Sequence, residues 1–170
     1  LGLASGFMEP LESTSLHLVQ SGVIRLIKLF PGKQISEVDV AEYNRQSATE
    51  FERIRDFIIL HYHANQRDDS PFWRHCREMA IPDSLKHKMQ LFKESGRIFR
   101  EQDELFTEAA WLQVMVGQNI IPQSYHPIAD MITEEQLAGY CRDLKGIYQQ
   151  TAGKLPSHSD YIAHHCKAMR

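Results

Sequence analysis

Two carboxylates and a run of hydroxyl side chains lie close together near the start of the chain. In residues 6–15, which read GFMEPLESTS, Glu9 and Glu12 flank Pro10. The three residues that follow all carry a hydroxyl group: Ser13, Thr14 and Ser15. Because an apolar run with helical spacing begins at once, this stretch should enter a helix, where unpaired N–H groups and the helix dipole favour an anion. The residues alone predict either an anion site beside a directed carboxylate or an ordinary helix cap preceded by acidic residues.

The nine histidines require a metal site to be considered. His61 and His63 are two positions apart and would point to different sides of a helix. His164 and His165 are adjacent and precede Cys166. None of them has the four-residue spacing of a zinc-binding HExxH helix, so no metal site is predicted and these histidines are interpreted as solvated or capping residues.

Other catalytic signatures are missing from the sequence. It contains neither the GxGxxG loop of a dinucleotide site nor the GxSxG turn of a serine hydrolase. The glycines of GLASG at residues 2–6 still allow the backbone to approach a ligand closely. Trp73 and Trp111 are residues of a type more typical of a core than of a site.

The composition is that of an ordinary single domain, with 170 residues, 42% of them hydrophobic, and a net charge of −3. This charge does not indicate a nucleic-acid partner. Three cysteines without a CxxC pair favour a reducing cytoplasm. The apolar stretch 16–30 is interrupted by polar and charged side chains, so it predicts neither a membrane span nor a signal peptide. Because the chain begins with Leu1 rather than Met, we expect it to be part of a longer protein.

Helical periodicity dominates the rest of the chain, and no run of residues has a strand pattern. A mainly α fold is therefore predicted, with helices over residues 15–30, 38–64, 71–79, 85–94, 105–117 and 133–151. A last short helix, capped by Ser159 or Asp160, should reach Ala168.

Three further helix starts have capping signals. Ser70 would cap a helix that has Pro71 at its first position. The side chain of Ser13 or Thr14 is expected to cap the first helix. Thr133 is followed three residues later by Gln136, which is a capping-box signature.

Three blocks of the sequence resemble the flavin-dependent tryptophan halogenase family, in the order in which that family has them. They are ASGFMEPLESTSLHLVQSGVIRLIKLFP at 4–31, RDDSPFWRHCREMAIPDSLKHKMQLF at 67–92 and LFTEAAWLQVMVGQNIIPQSYHP at 105–127. The EPLEST run is the most specific of these motifs.

The resemblance implies an enzyme that uses reduced FAD, supplied by a partner flavin reductase, and oxygen to convert chloride or bromide into hypohalous acid. The acid then halogenates tryptophan, an indole or a related electron-rich aromatic. Residues 1–170 would be a single helical C-terminal region, the substrate-side portion of an α/β FAD-binding, monooxygenase-like enzyme. The upstream FAD-binding region is absent from this chain, so the isolated chain is expected to be inactive. The resemblance leaves open whether the enzyme forms a homodimer.

The resemblance also assigns roles to individual residues. Glu12 corresponds to the catalytic glutamate, and Trp111 to a tryptophan that packs on the indole, with Phe99 as a further substrate contact. The predicted cofactor-binding residues are Gly6, Pro10 and Ser13. The predicted halide-binding residues are Thr14 and Ser15, through their backbone N–H groups.

Two features of the tryptophan-specific pattern, a tyrosine pair and a glutamate, are missing. Ile98 and Phe99 stand where that pattern has a tyrosine pair, and Phe106 lies near the position of a glutamate that grips the amino acid. The expected substrate is therefore a simpler indole or a larger aromatic. Two alternatives remain open: a flavin-dependent aromatic monooxygenase relative, and an inactive helical fragment or interaction module.

Overall fold

The computed structural model describes residues 2–101 and 104–166. Over these residues the chain forms α-helices and short 3-10 turns and contains no strand, which confirms the predicted mainly α fold. The helices are α1 Ser15–Lys28, α2 Glu37–His63, α3 Pro71–Glu78, α4 Asp83–Ser95, α5 Glu108–Gly117, α6 Glu134–Lys154 and α7 His158–His165. The 3-10 turns are Gly2–Ser5, Pro10–Glu12 and Pro127–Met131.

The chain divides into two compact units, Leu1–His126 and Pro127–Arg170. In the first unit the long helix α2 contacts α1, α3, α4 and α5, so it is the element on which the others are assembled. The buried apolar residues of α2, Ile54, Phe57, Ile58 and Leu60, all lie in its C-terminal half at helical spacing, so this half contributes the buried face.

Two clusters of side chains fill the first unit. The main core joins α2 to α4 and α5, through Phe57, Leu60, Leu85, Phe92, Trp111 and Met115. A smaller cluster of Leu18, Ile54 and Ile58 holds α1 against α2, with Met8 partly buried beside it. Full burial of a large apolar side chain contributes roughly 1.5–3 kcal/mol. The smaller cluster therefore fixes the start of α1, and the residues just before it, on the surface of α2.

The second unit contains the Pro127–Met131 turn, α6 and α7. The capping box predicted from Thr133 and Gln136 is confirmed, since each residue's side chain accepts the other's backbone N–H. The unit exposes many large apolar side chains, among them Ile128, Met131, Ile132, Leu137, Tyr140, Ile147, Tyr148 and Leu155.

Several predicted helix ends were wrong by a few residues. Helix α5 begins at Glu108 rather than at residue 105, because Thr107 is extended and its side chain accepts the Ala110 N–H. Helix α7 is capped by Ser157 rather than by Ser159 or Asp160. The predicted end of that helix at residue 168 lies outside the described residues. No helix in the described part of the chain combines the length and the apolar character needed to cross a membrane.

Candidate active site

The EPLEST stretch folds as a tight turn that leads into α1. Glu9 precedes the Pro10–Glu12 turn, and its carboxylate accepts the Leu11 N–H at 3.1 Å. The Ser13 N–H donates to the Pro10 carbonyl at 2.9 Å, and Ser13 has a left-handed backbone with φ of 53°. Glu9, which has no role in the sequence prediction, thus closes the turn that separates Glu12 from the start of α1.

The first turn of α1 is not capped by a side chain, so that prediction was wrong. Thr14 occupies the cap position, yet its side chain accepts no backbone N–H. Thr14 is only 1% exposed, and within the described residues its Oγ1 has no hydrogen-bond partner. Because the first intrahelical bond runs from the Leu18 N–H to the Thr14 carbonyl, the N–H groups of Thr14 and Ser15 lie ahead of the hydrogen-bond ladder.

Ser15 ties the preceding loop to the helix. Its Oγ donates to the Met8 carbonyl at 3.2 Å, so the side chain is used structurally. Only the backbone N–H of Ser15 is left to act at the N-terminus of α1. A buried hydroxyl without a partner, next to N–H groups at the positive end of a helix, is a donor set suited to a small anion.

The Glu12 carboxylate is paired with a histidine on α2. Glu12 Oε1 lies 2.9 Å from His61 Nε2, and the two side chains are 31% and 18% exposed. His61 Nδ1 lies 2.8 Å from the Phe57 carbonyl oxygen, one helical turn earlier, and the two rings meet edge to face. The sequence interpretation of His61 as solvated or capping was wrong, because its partner is 49 residues away in the sequence.

A second polar cluster fastens α1 to α2 further along. Glu50 accepts hydrogen bonds from Ser21 and Arg25, both at 2.8 Å, and lies 3.0 Å from His17 Nε2. These contacts add polar links to the apolar packing that holds α1 against α2.

The predicted cofactor residues line the outer side of the same turn. Pro10 and Ser13 are exposed, and Gly6 is half-buried against α2. A Cβ at Gly6 would lie 2.8 Å from Cε1 of Phe51, so close packing on α2 accounts for a glycine there. Contact of these residues with a cofactor remains a prediction.

The two predicted substrate residues lie in different surroundings. Trp111 is 2% exposed and belongs to the main core, as its residue type suggests, with its ring centroid 4.8 Å from that of Phe57. Phe99 is 60% exposed. Phe57 contacts both Trp111 and His61, and it therefore links Trp111 to the Glu12 pair. That either residue binds a substrate remains a prediction.

Sequence reasoning missed a buried ion pair beside Trp111. Lys88 Nζ lies 2.6 Å from Glu104 Oε1, with side-chain exposures of 12% and 5%. The same ammonium lies 4.4 Å from the Trp111 ring centroid. Lys88 lies on α4 and Glu104 in the loop before α5, so no spacing within one helix indicates the pair.

Tyr62 connects the turn to α3. Burial raises the pKa of Tyr62, and the negative charge of Glu9 raises it further. The ring also stacks on Trp73 with centroids 6.0 Å apart. Glu9 thus interacts with α2 through Tyr62, the residue next to His61.

Comparison with known proteins identifies the family. The family model described as tryptophan halogenase matches residues 1–134. The tryptophan 7-halogenase RebH of Lentzea aerocolonigenes is 38% identical over 142 residues, which are 75% of this chain and 27% of that protein. The structure of Xcc4156, a flavin-dependent halogenase from Xanthomonas campestris, is 50% identical with a TM-score of 0.93, over 99% of this chain and 34% of that one.

A second solved structure agrees. BrvH, a flavin-dependent halogenase from Brevundimonas sp. BAL3, is 39% identical with a TM-score of 0.91, over 96% of this chain and 33% of that one. The chain spans about a third or less of the length of these relatives. The matched region contains the EPLEST turn, the N-terminus of α1 and His61. The chain belongs to the tryptophan halogenase family.

Proposed function

We propose that this chain is the helical substrate-side part of a flavin-dependent halogenase that acts on an indole or another electron-rich aromatic. The observation that carries the proposal is the position of Glu12. His61 holds its carboxylate, and it lies only two residues before Thr14, where the N-terminus of α1 offers donors suited to an anion. The relatives at 38–50% identity are tryptophan or flavin-dependent halogenases, which supports the same reaction class.

Glu12 serves as the base of the aromatic substitution. When a halogen adds to an electron-rich ring, the ring carbon must lose its proton and the C–H electron pair must return to the ring. An ionised carboxylate held next to that carbon can accept the proton. Because His61 faces Oε1, the other oxygen, Oε2, is the one available to the substrate or to the hypohalous acid.

Thr14 and Ser15 hold the halide, chloride or bromide. Their N–H groups precede the first hydrogen bond of α1, and the buried Thr14 hydroxyl adds a third donor. Donors fixed in advance by the fold need no reorganisation when the anion arrives.

The residues of this turn also fit a bound flavin at its outer edge. Gly6, Pro10 and Ser13 would contact it, because Pro10 and Ser13 are exposed while Thr14 behind them is buried. Reduced FAD, supplied by a partner flavin reductase, would supply part of the electrons that reduce oxygen, and the halide would supply the rest as it becomes hypohalous acid.

An upstream FAD-binding region completes the enzyme in this proposal, with residues 1–170 as its single helical C-terminal region. One face of α1 points away from α2 and is apolar, with Leu16, Val23, Ile24 and Ile27 exposed. A helix that is apolar on a second face is typically buried against another part of the protein. We propose that the upstream region covers this face.

We also place the complete protein in the cytoplasm, where the three free cysteines of this chain stay reduced.

The substrate side favours an aromatic without a free amino-acid group. Phe106 stacks on Phe57 with ring centroids 3.8 Å apart, so the position that would bind an ammonium group holds a core ring instead. Phe99 and Ile98 likewise offer no polar contact to a carboxylate. We therefore expect a simple indole, or a larger aromatic, to be preferred over free tryptophan.

The test uses the complete protein with FAD, a flavin reductase and oxygen. Indole, free tryptophan and larger aromatics are each incubated with chloride or with bromide, and products are identified by mass spectrometry. The proposal expects products that carry the halogen supplied. A hydroxylated product formed without halide would instead support the monooxygenase alternative, and no product with any aromatic would support the inactive-fragment alternative.

A further inference from the structure

His61 has a fixed neighbour at each of its ring nitrogens. Its Nδ1 lies 2.8 Å from the Phe57 carbonyl oxygen, and its Nε2 lies 2.9 Å from Glu12 Oε1. The first contact holds the ring on its own helix, and the second holds it on the carboxylate. Because both nitrogens are engaged, the ring cannot rotate without losing these contacts.

The position of His61 on α2 also orients its ring. His61 lies in the last turn of α2, and its side chain is 18% exposed. The ring is also oriented by the edge-to-face contact with Phe57, whose side chain is buried in the main core.

We propose that His61 is the positioning residue of Glu12, a role that rests on the proposed function of Glu12 as base. The His61 ring holds Oε1 and so leaves Oε2 directed to the substrate. Phe57 is buried in the main core and contacts His61, which in turn contacts Glu12. The core thereby restricts the movement of the Glu12 side chain, although Glu12 lies in a surface turn. A carboxylate without this partner would rotate freely, and a displacement of about 1 Å at a catalytic group can cost on the order of 10²-fold in rate.

The kinetic test is a double-mutant cycle in the complete enzyme. His61→Gln should lower kcat for halogenation on the order of 10²-fold, with little change in KM for the aromatic, because the ring contacts Glu12 rather than acting as the base. In a Glu12→Gln background the same substitution should have no further effect. A full additional loss in that background, or an unchanged kcat in the single variant, would overturn the proposal.

A matched control is available on the same helix pair. His17 lies 3.0 Å from Glu50 and also joins α1 to α2, but it does not contact Glu12. His17→Gln should keep kcat near that of the unchanged enzyme. A loss as large as that of His61→Gln would show that any histidine bridge between these helices matters, which would also overturn the positioning role.

A second measurement does not depend on activity or on the folding of a His61 variant. A crystal structure of the unchanged complete enzyme with the aromatic bound should keep His61 Nε2 within hydrogen-bond distance of one Glu12 oxygen and place the other oxygen toward the aromatic. A Glu12 carboxylate that no longer contacts His61 would overturn the inference. Failure of the proposed function would be distinguishable, because the unchanged enzyme would then halogenate no aromatic, whatever the position of the Glu12 carboxylate.

Discussion

Removal of the Lys88 ammonium should be among the most destabilising single changes in the first unit. Lys88 and Glu104 are 12% and 5% exposed and lie 2.6 Å apart. Lys88→Met keeps the aliphatic stem but leaves Glu104 as a buried carboxylate without its partner, a change that costs about 3–5 kcal/mol in other proteins. Loss of the contact with the Trp111 ring, at 4.4 Å, adds roughly 0.5–2 kcal/mol.

The assay is urea unfolding of the complete protein, followed by tryptophan fluorescence, since Trp111 lies beside the pair. Lys88→Met should lower the unfolding midpoint strongly. The double variant with Glu104→Gln should recover much of the loss, because no buried charge then remains.

The matched control is the pair of Arg67 and Asp69, which has the same 2.6 Å separation but side chains 57% and 59% exposed. Asp69→Asn should leave the midpoint almost unchanged, because solvent already screens that attraction. If Lys88→Met were no more harmful than Asp69→Asn, or if the Glu104 change gave no recovery, burial of the Lys88 pair would not be the source of its effect.

Three further predictions concern the turn before α1. Glu12→Gln should lower kcat for halogenation by roughly 10²–10⁴-fold without loss of flavin binding, as measured by steady-state kinetics and flavin fluorescence. Glu9→Gln should lower the pKa of Tyr62, because the negative charge of Glu9, the largest cause of the raised pKa after burial, is removed. The stability that depends on the neutral Tyr62 phenol is fully present below its unfolded pKa of about 10 and is lost as pH rises through the higher folded pKa. In this variant, ultraviolet titration of tyrosinate should therefore show the transition at a lower pH. Ser13→Gly should raise the free energy of unfolding by up to about 1 kcal/mol, since a non-glycine residue at φ of 53° is strained, and an unchanged or lower value would contradict this reading of the turn.

Local features of the fold could be predicted from the sequence. The helices were expected at nearly their observed positions, because each depends on apolar spacing and on hydrogen bonds between residues three or four apart. Ser70 caps α3 with Pro71 at its first position, and Thr133 closes a capping box with Gln136, as their types and spacing indicate. The EPLEST run was likewise sufficient to suggest the family.

Other local features were missed where two local preferences compete. Thr14 has a side chain that usually caps a helix, yet the left-handed Ser13 and the bond from its N–H to Pro10 place Thr14 in a helical conformation instead. A capping residue normally has an extended backbone, so the hydroxyl of Thr14 is left without that role.

The working geometry of the site depends on tertiary structure. Residue types and their spacing were sufficient to predict that Glu12 would stand before a helix and that the helices would be amphipathic. They could not predict that Glu12 would contact His61, or that Lys88 would be buried against Glu104, because these contacts depend on how the helices and the loops beside them pack. A local hydrogen bond is specified within one helical turn, whereas a contact between distant residues exists only once the cores around α2 have brought their helices together.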